Sequence, residues 1–140
     1  MEPKLTLIIS EILEKVNAAK TVDDKLRVIS DNWSPALKIV LKYIYDPNIK
    51  FFTEKAPDYN PDLAPVGVNF STLNNEAKKL YIFLSETKVS SAKKNAILIE
   101  MMESINEKDA ELLASIINRT VKLDKLPVKL MKEKIPQLFV

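Results

Sequence analysis

Residues 90–105 read SSAKKNAILIEMMESI, a polar start followed by an apolar run. Between Ala96 and Met102 every residue except Glu100 is apolar. A helix that is apolar on every side is usually buried on every side. We therefore expect residues 92–105 to form the central helix of a helical domain.

The first turn of this helix carries Lys93 and Lys94, where acidic residues are usual. A helix start exposes unpaired N–H groups and a partial positive charge, so each exposed lysine there costs about 0.3–1 kcal/mol. The helices expected to begin near Asp23 and Glu107 follow the acidic rule. This contrast indicates that the start of the central helix meets an anion, and we expect nucleic-acid phosphate.

Apolar residues recur every three or four positions on both sides of the central helix, which predicts further helices. Pro3 suits the first turn of the first one, and Ser34-Pro35 is a strong start signal for the third. The expected helices cover about residues 5–19, 21–30, 34–45, 72–86, 106–118 and 127–136. The sequence thus predicts one all-α domain over residues 1–140, with about seven helices.

Residues 46–70 form the irregular part of the chain, with four prolines and its only glycine, Gly67. This density of helix and strand breakers predicts one long loop, with at most a short extended piece at residues 49–53. We expect Phe51, Phe52 and Tyr59 to anchor the loop to the helices. If the rings were exposed instead, they could stack on nucleic-acid bases.

The composition excludes several classes of site. The chain has no histidine and no cysteine, which removes zinc-type sites, histidine triads and thiol chemistry. A single glycine excludes the P-loop and the dinucleotide fingerprint. Paired carboxylates are the chemistry left, and the only close pair, Asp23-Asp24, suits a helix start better. We expect no enzyme activity, no metal and no cofactor.

No apolar run approaches the ~18 residues that a membrane span needs, and the N-terminus does not resemble a signal peptide. We expect a cytoplasmic protein without a membrane partner. The absence of cysteine fits a reducing compartment.

The charge is nearly balanced, with 21 basic and 19 acidic residues and a net charge of +2, so any basic surface must be local. Residues 119–134 hold six basic and two acidic side chains, whereas residues 103–111 hold four acidic and one basic. If two helix starts lie on the same side, one DNA-binding face could form. Its residues would be Lys93, Lys94, Arg119, Lys122, Lys125 and Lys129. The alternative is a solvated rim of surface lysines.

A series of scattered positions runs through nearly the whole chain in a familiar order. They are Asp31-Asn32, Leu37-Lys38-Ile39-Val40, Tyr43-Ile44-Tyr45, Lys55-Ala56-Pro57, Thr72-Leu73, residues 97–105, Lys108-Asp109-Ala110-Glu111-Leu112-Leu113, Arg119 and Lys134-Ile135-Pro136-Gln137-Leu138-Phe139. The layout resembles the N-terminal α-helical DNA-binding domain of ATP-dependent DNA ligases from T-even-type tailed phages. It is also similar to that of some small uncharacterised tailed-phage proteins.

This resemblance implies a helical fold and sequence-independent contact with the backbone of double-stranded DNA, in phage replication or repair within an infected host cell. It does not imply catalysis, because the ligase nucleotidyltransferase domain and its Lys-x-Asp-Gly motif are absent. In the ligases a glycine tends to close the turn after the sixth helix, and the nearest position here is Asp124. A carboxylate at a DNA-facing turn would weaken phosphate contact.

The competing interpretation is a protein–protein interaction module that regulates a host or phage replication or transcription factor. Near the C-terminus, Gln137-Leu138-Phe139 is similar to the short peptides that dock on bacterial sliding clamps. A ligase-like ending would instead use the same residues as a hydrophobic anchor.

Overall fold

The computed structural model describes residues 7–139, and these residues form a single all-α domain. The described range contains seven α-helices and two 3-10 helices and no β-strand, which confirms the predicted fold class. The helices are α1 (Ile9–Ala18), α2 (Val22–Asp31), α3 (Pro35–Tyr45), α4 (Leu73–Glu76), η1 (Ala77–Phe83), α5 (Ser91–Ser104), α6 (Glu107–Ile117), α7 (Val128–Lys134) and η2 (Pro136–Phe139).

Most helices begin where short polar side chains predict a start. A side-chain oxygen of the capping residue accepts a backbone N–H of the first turn, which satisfies one of the unpaired donors there. The capping residues are Thr21, Ser34, Thr72, Ser90 and Asn106. In α1, the Glu11 carboxylate accepts the Ile8 N–H at 3.0 Å instead. Part of the predicted start of this helix, including Pro3, lies outside the described residues.

The helix α5 has a buried face and a solvent face, so the prediction that it is buried on every side was wrong. Leu98 and Met102 are fully buried, but Ala96 and Glu100 are exposed. The reason is packing on one side only, because α5 contacts α6 and η1 and its remaining face meets solvent. It is therefore a peripheral helix of the core rather than its axis.

The fourth predicted helix is shorter than expected and changes type. Only α4 is α-helical, and η1 continues it as a 3-10 helix that ends at Phe83 rather than near Glu86. The chain leaves the helix there because it pairs with the loop: the Phe52 N–H donates to the Phe83 carbonyl and the Ser85 N–H to the Lys50 carbonyl, both at 2.8 Å. This pairing is the short extended piece predicted at residues 49–53.

The long loop is anchored by its aromatic side chains, as predicted. Phe51 lies edge-on to Tyr43, with ring centroids 5.9 Å apart, and Phe52 lies 6.4 Å from Phe83. Both loop rings, like that of Tyr59, are partly buried against the core. These rings therefore fasten the loop to α3 and η1 and are not free platforms for bases.

The C-terminal segment packs onto the domain. The 3-10 helix η2 contacts α3 and α7, Leu138 is fully buried, and Phe139 is partly buried. The segment thus acts as a hydrophobic anchor, and its Leu138 side chain is not available to a sliding clamp. No helix within residues 7–139 is both long and apolar enough to cross a membrane.

Candidate nucleic-acid interface

The basic residues after α6 lie on an exposed connection to α7, residues 118–127, which we call the cationic connection. Leu123 and Leu126 are buried, whereas Arg119, Lys122 and Lys125 are exposed. The two leucines fix the path of the chain against the core, and the three cations around them are exposed to solvent. Lys129 follows in the first turn of α7 and is also exposed.

Two of these cations adopt a left-handed backbone conformation. Arg119 has φ of 61° and Lys125 has φ of 59°, and no other non-glycine residue in the described range has a positive φ. The Arg119 N–H donates to the Ile116 carbonyl at 3.1 Å and the Thr120 N–H to the Ser115 carbonyl at 2.9 Å. This Schellman motif closes α6 and usually employs glycine at the left-handed position. A side chain there costs about 1–2 kcal/mol.

Three hydrogen bonds from distant elements fix the cationic connection. The Tyr45 hydroxyl donates to the Leu126 carbonyl at 2.9 Å, and burial raises the pKa of this hydroxyl, which keeps it protonated as a donor. The Asp124 N–H donates to Asn17 Oδ1 at 2.9 Å, and Asn118 Oδ1 accepts the Ala56 N–H at 2.7 Å. The backbone of the connection is therefore held in place by the rest of the domain.

The acidic residue of the connection is compensated by a buried lysine that the sequence analysis did not identify. Lys25 is fully buried, and its ammonium donates to the Val16 carbonyl at 2.9 Å and the Asn17 carbonyl at 3.1 Å. These carbonyls end α1 and lack helical partners. The same ammonium lies 3.7 Å from Asp124 Oδ2, so the carboxylate expected to repel phosphate faces a positive charge.

Lys122 and Lys125 share a groove. The cavity between α3 and the cationic connection has a volume of about 400 Å³ and is lined by these lysines with Tyr45 and Val128. The described lining residues include no carboxylate. On its other side Lys122 borders a second cavity, of about 310 Å³, together with Glu14 and Glu111. The positive surface therefore lies on the Tyr45 side of Lys122.

Lys94 does not lie on this surface, which corrects the prediction for that residue. Its side chain is only 3% exposed, and its ammonium donates to the Leu84 carbonyl at 2.7 Å and lies 5.9 Å from the centre of the Phe52 ring. Lys94 precedes the buried Leu98 by one helical turn, so both point inward. Its ammonium satisfies the end of η1 and is not available to a phosphate.

The other predicted site residues, Lys93, Arg119 and Lys129, are exposed, but none of them is among the described residues that line the groove of Lys122 and Lys125. The Arg119 guanidinium lies 5.2 Å from the centre of the Phe51 ring, a distance at which a cation and an aromatic face attract each other. Lys93 lies at the start of α5 and Lys129 at the start of α7. Neither lines the groove of Lys122 and Lys125 among the described residues.

Another buried charged group joins two helix starts away from this surface. Asp109, in the first turn of α6, accepts the Ser10 N–H of α1 at 2.8 Å. Burial raises the pKa of the Asp109 carboxyl, and the hydrogen bond from the Ser10 N–H opposes the rise in part. Because its bond partner is a backbone donor of α1, Asp109 has a structural role.

A protein-family model matches most of the chain. The model of a family of unknown function, DUF6433, matches residues 12–123. The matched range includes Arg119 and Lys122 and ends before Lys125 and Lys129. No curated protein matches the chain. Because the family model covers well over half of the sequence, the protein belongs to the DUF6433 family.

Proposed function

We propose that the protein is a non-enzymatic module that binds the backbone of double-stranded DNA without reading its sequence. The observation that carries this proposal is a set of four exposed cations within residues 119–129: Arg119, Lys122, Lys125 and Lys129. Asp124 is the only carboxylate in that range and lies 3.7 Å from the buried Lys25 ammonium. Exposed lysines and arginines of this kind contact phosphates and carry no sequence information.

Both the shape and the charge of the cationic connection support the proposal. The Tyr45 hydroxyl donates to the Leu126 carbonyl and Asn17 Oδ1 accepts the Asp124 N–H. These bonds hold the backbone of the connection, so binding would cost little ordering of the loop. Four phosphate contacts would make the logarithm of the binding constant fall with the logarithm of salt concentration with a slope of about −3.6. The resemblance to the ligase domain supports duplex DNA as the target. It also supports the cytoplasm of an infected host cell as the place, and replication or repair as the process.

Fluorescence anisotropy of a short labelled duplex, measured over a range of salt concentrations, tests this function. Reversing both groove lysines, in Lys122→Glu with Lys125→Glu, should weaken binding at least about tenfold and reduce the slope to about −1.8, since two phosphate contacts are lost. The matched control reverses two exposed lysines elsewhere, Lys38 on α3 and Lys78 on η1.

The control variant should bind almost as well as the wild type. No binding at micromolar protein in low salt would exclude the proposal. Equal losses in both double variants would show a general charge effect and would remove the assignment to the cationic connection. Competition with an unlabelled single strand of the same sequence would show whether the duplex is preferred.

A second candidate function is a protein–protein interaction module that regulates a host or phage replication protein or transcription factor. The observation that favours it is a loop with exposed apolar side chains, including Leu63 and Phe70, which lies outside the cationic connection. Because the two surfaces use different residues, variants of one leave the other intact.

A further inference from the structure

The part of the long loop between residues 62 and 70, which we call the apolar loop, exposes four large apolar side chains. Phe70 is 93% exposed and Leu63 73%, and Val66 and Val68 are also exposed. Single exposed apolar residues are common on soluble proteins, whereas exposed apolar residues grouped on one segment are a feature of interaction sites. The apolar loop is therefore a candidate docking surface.

The apolar loop is a built structure. Both carboxylate oxygens of Asp62 accept hydrogen bonds at 3.0 Å, one from the Ala64 N–H and the other from the Asn69 side-chain amide. The Val68 N–H donates to the Pro65 carbonyl across a turn that needs the positive φ of Gly67, 97°. Its apolar side chains are thus presented in a fixed arrangement, which lowers the entropy cost of docking.

Carboxylates lie at the base of the apolar loop, where the chain enters it. Glu103 Oε2 accepts the Asn60 N–H at 2.7 Å. Asp62, at the start of the loop itself, is a second carboxylate at this end. A complementary partner would therefore offer an apolar pocket with a cation at its rim.

The chain itself carries such a pocket on another part of its surface. A cavity of about 450 Å³ between α2 and the C-terminal segment is lined by apolar side chains that include Leu26, Ile29, Trp33 and Ile135. Lys134 lies at the cavity, and the described lining residues include no carboxylate. We call it the Trp33 pocket. Its apolar walls and single cation complement the apolar loop and the carboxylates at its base.

We propose that the apolar loop docks into the Trp33 pocket of a second copy of the chain, with Phe70 inserted. The loop and the pocket are different surfaces, so the contact is head-to-tail rather than self-complementary. A head-to-tail contact leaves one free loop and one free pocket on every pair, and assembly continues until a ring closes or a chain forms. The proposal is independent of DNA binding.

Sedimentation velocity between about 1 μM and 1 mM protein, the range in which weak specific contacts become populated, tests the contact. The wild type should sediment faster as its concentration rises. Phe70→Ser removes the inserted ring, and Ser30→Glu places a carboxylate at the pocket. Both positions are exposed, so both variants should fold, and each alone should sediment as a monomer. Tyr81→Ser removes an exposed ring elsewhere and should associate like the wild type.

Mixing the two variants that do not associate on their own gives the decisive result. Phe70→Ser retains an intact pocket and Ser30→Glu an intact loop, so an equimolar mixture should form a one-to-one dimer and nothing larger. A wild type that remains monomeric at every concentration would overturn the proposal. So would a mixture that stays monomeric, or a loss of association in Phe70→Ser but not in Ser30→Glu, because either result would indicate a different pair of surfaces.

Discussion

Replacing the buried Lys25 by methionine tests the interpretation that its ammonium caps the C-terminal carbonyls of α1. Methionine is also long and flexible, so the volume is retained while the hydrogen bonds to the Val16 and Asn17 carbonyls are lost. A buried acceptor left without a partner costs about 1–3 kcal/mol. The Val16 bond is buried and the Asn17 bond only partly so, which leaves the Asn17 carbonyl access to water.

The ion pair between Lys25 and Asp124 adds little to the stability lost in Lys25→Met. The Asp124 side chain is 63% exposed and lies 3.7 Å from the ammonium, so solvent screening limits the pair to at most about 1 kcal/mol. Together these losses should lower the free energy of unfolding by about 1–4 kcal/mol. Urea denaturation followed by circular dichroism measures this difference if unfolding is two-state.

The variant Asp124→Asn separates the two contributions. It removes the ion pair and leaves both carbonyl bonds, so we expect a loss of at most about 1 kcal/mol. A Lys25→Met protein as stable as the wild type would refute the reasoning. An Asp124→Asn protein as unstable as Lys25→Met would show that Lys25 stabilises the fold through the ion pair and not through its bonds to the end of α1.

Three further outcomes follow from buried or strained groups. Lys94→Met should lower the free energy of unfolding by about 1.5–3 kcal/mol, measured by urea denaturation, because the hydrogen bond to the Leu84 carbonyl is lost. Unchanged stability would contradict a structural role for Lys94. Lys125→Gly relieves about 1–2 kcal/mol of left-handed strain against a glycine entropy cost of about 0.5–1 kcal/mol, so stability should hold or rise slightly while the salt slope of DNA binding weakens by about 0.9. Asp109 has a raised pKa in the folded state, so its ionisation destabilises the fold as the pH rises above 3.8. Asp109→Asn should therefore gain stability relative to the wild type between that pH and neutrality, and a difference that shrinks with pH would contradict the burial of an ionised carboxyl.

The positions of most helices could be predicted from sequence because their start signals are local. Thr21 and Ser34 each cap a helix through a hydrogen bond that spans three residues, so neighbouring sequence alone determines the start. The end of η1 could not be predicted in this way. It depends on pairing between Leu84 and Phe51, which are far apart in the sequence.

The candidate site was predicted only at the level of charge. The excess of basic residues after α6 is visible in the sequence, but the pairing of Asp124 with Lys25 requires α2 to lie beside the cationic connection. Lys25 and Lys94 were missed as interior residues because lysine is rarely buried. Their spacing is nevertheless informative, since each lies four residues before a buried apolar residue, Ile29 and Leu98.

The hydrogen bond between the Asp124 N–H and Asn17 joins residues separated by 107 positions. A contact of such high order forms only after α1 has docked against the rest of the chain. The cationic connection should therefore acquire its fixed shape among the last events of folding. In native-state hydrogen exchange, the amide of Asp124 should open together with α1 as one cooperative unit, so that loosening of the first helix also disorders the proposed DNA-binding surface.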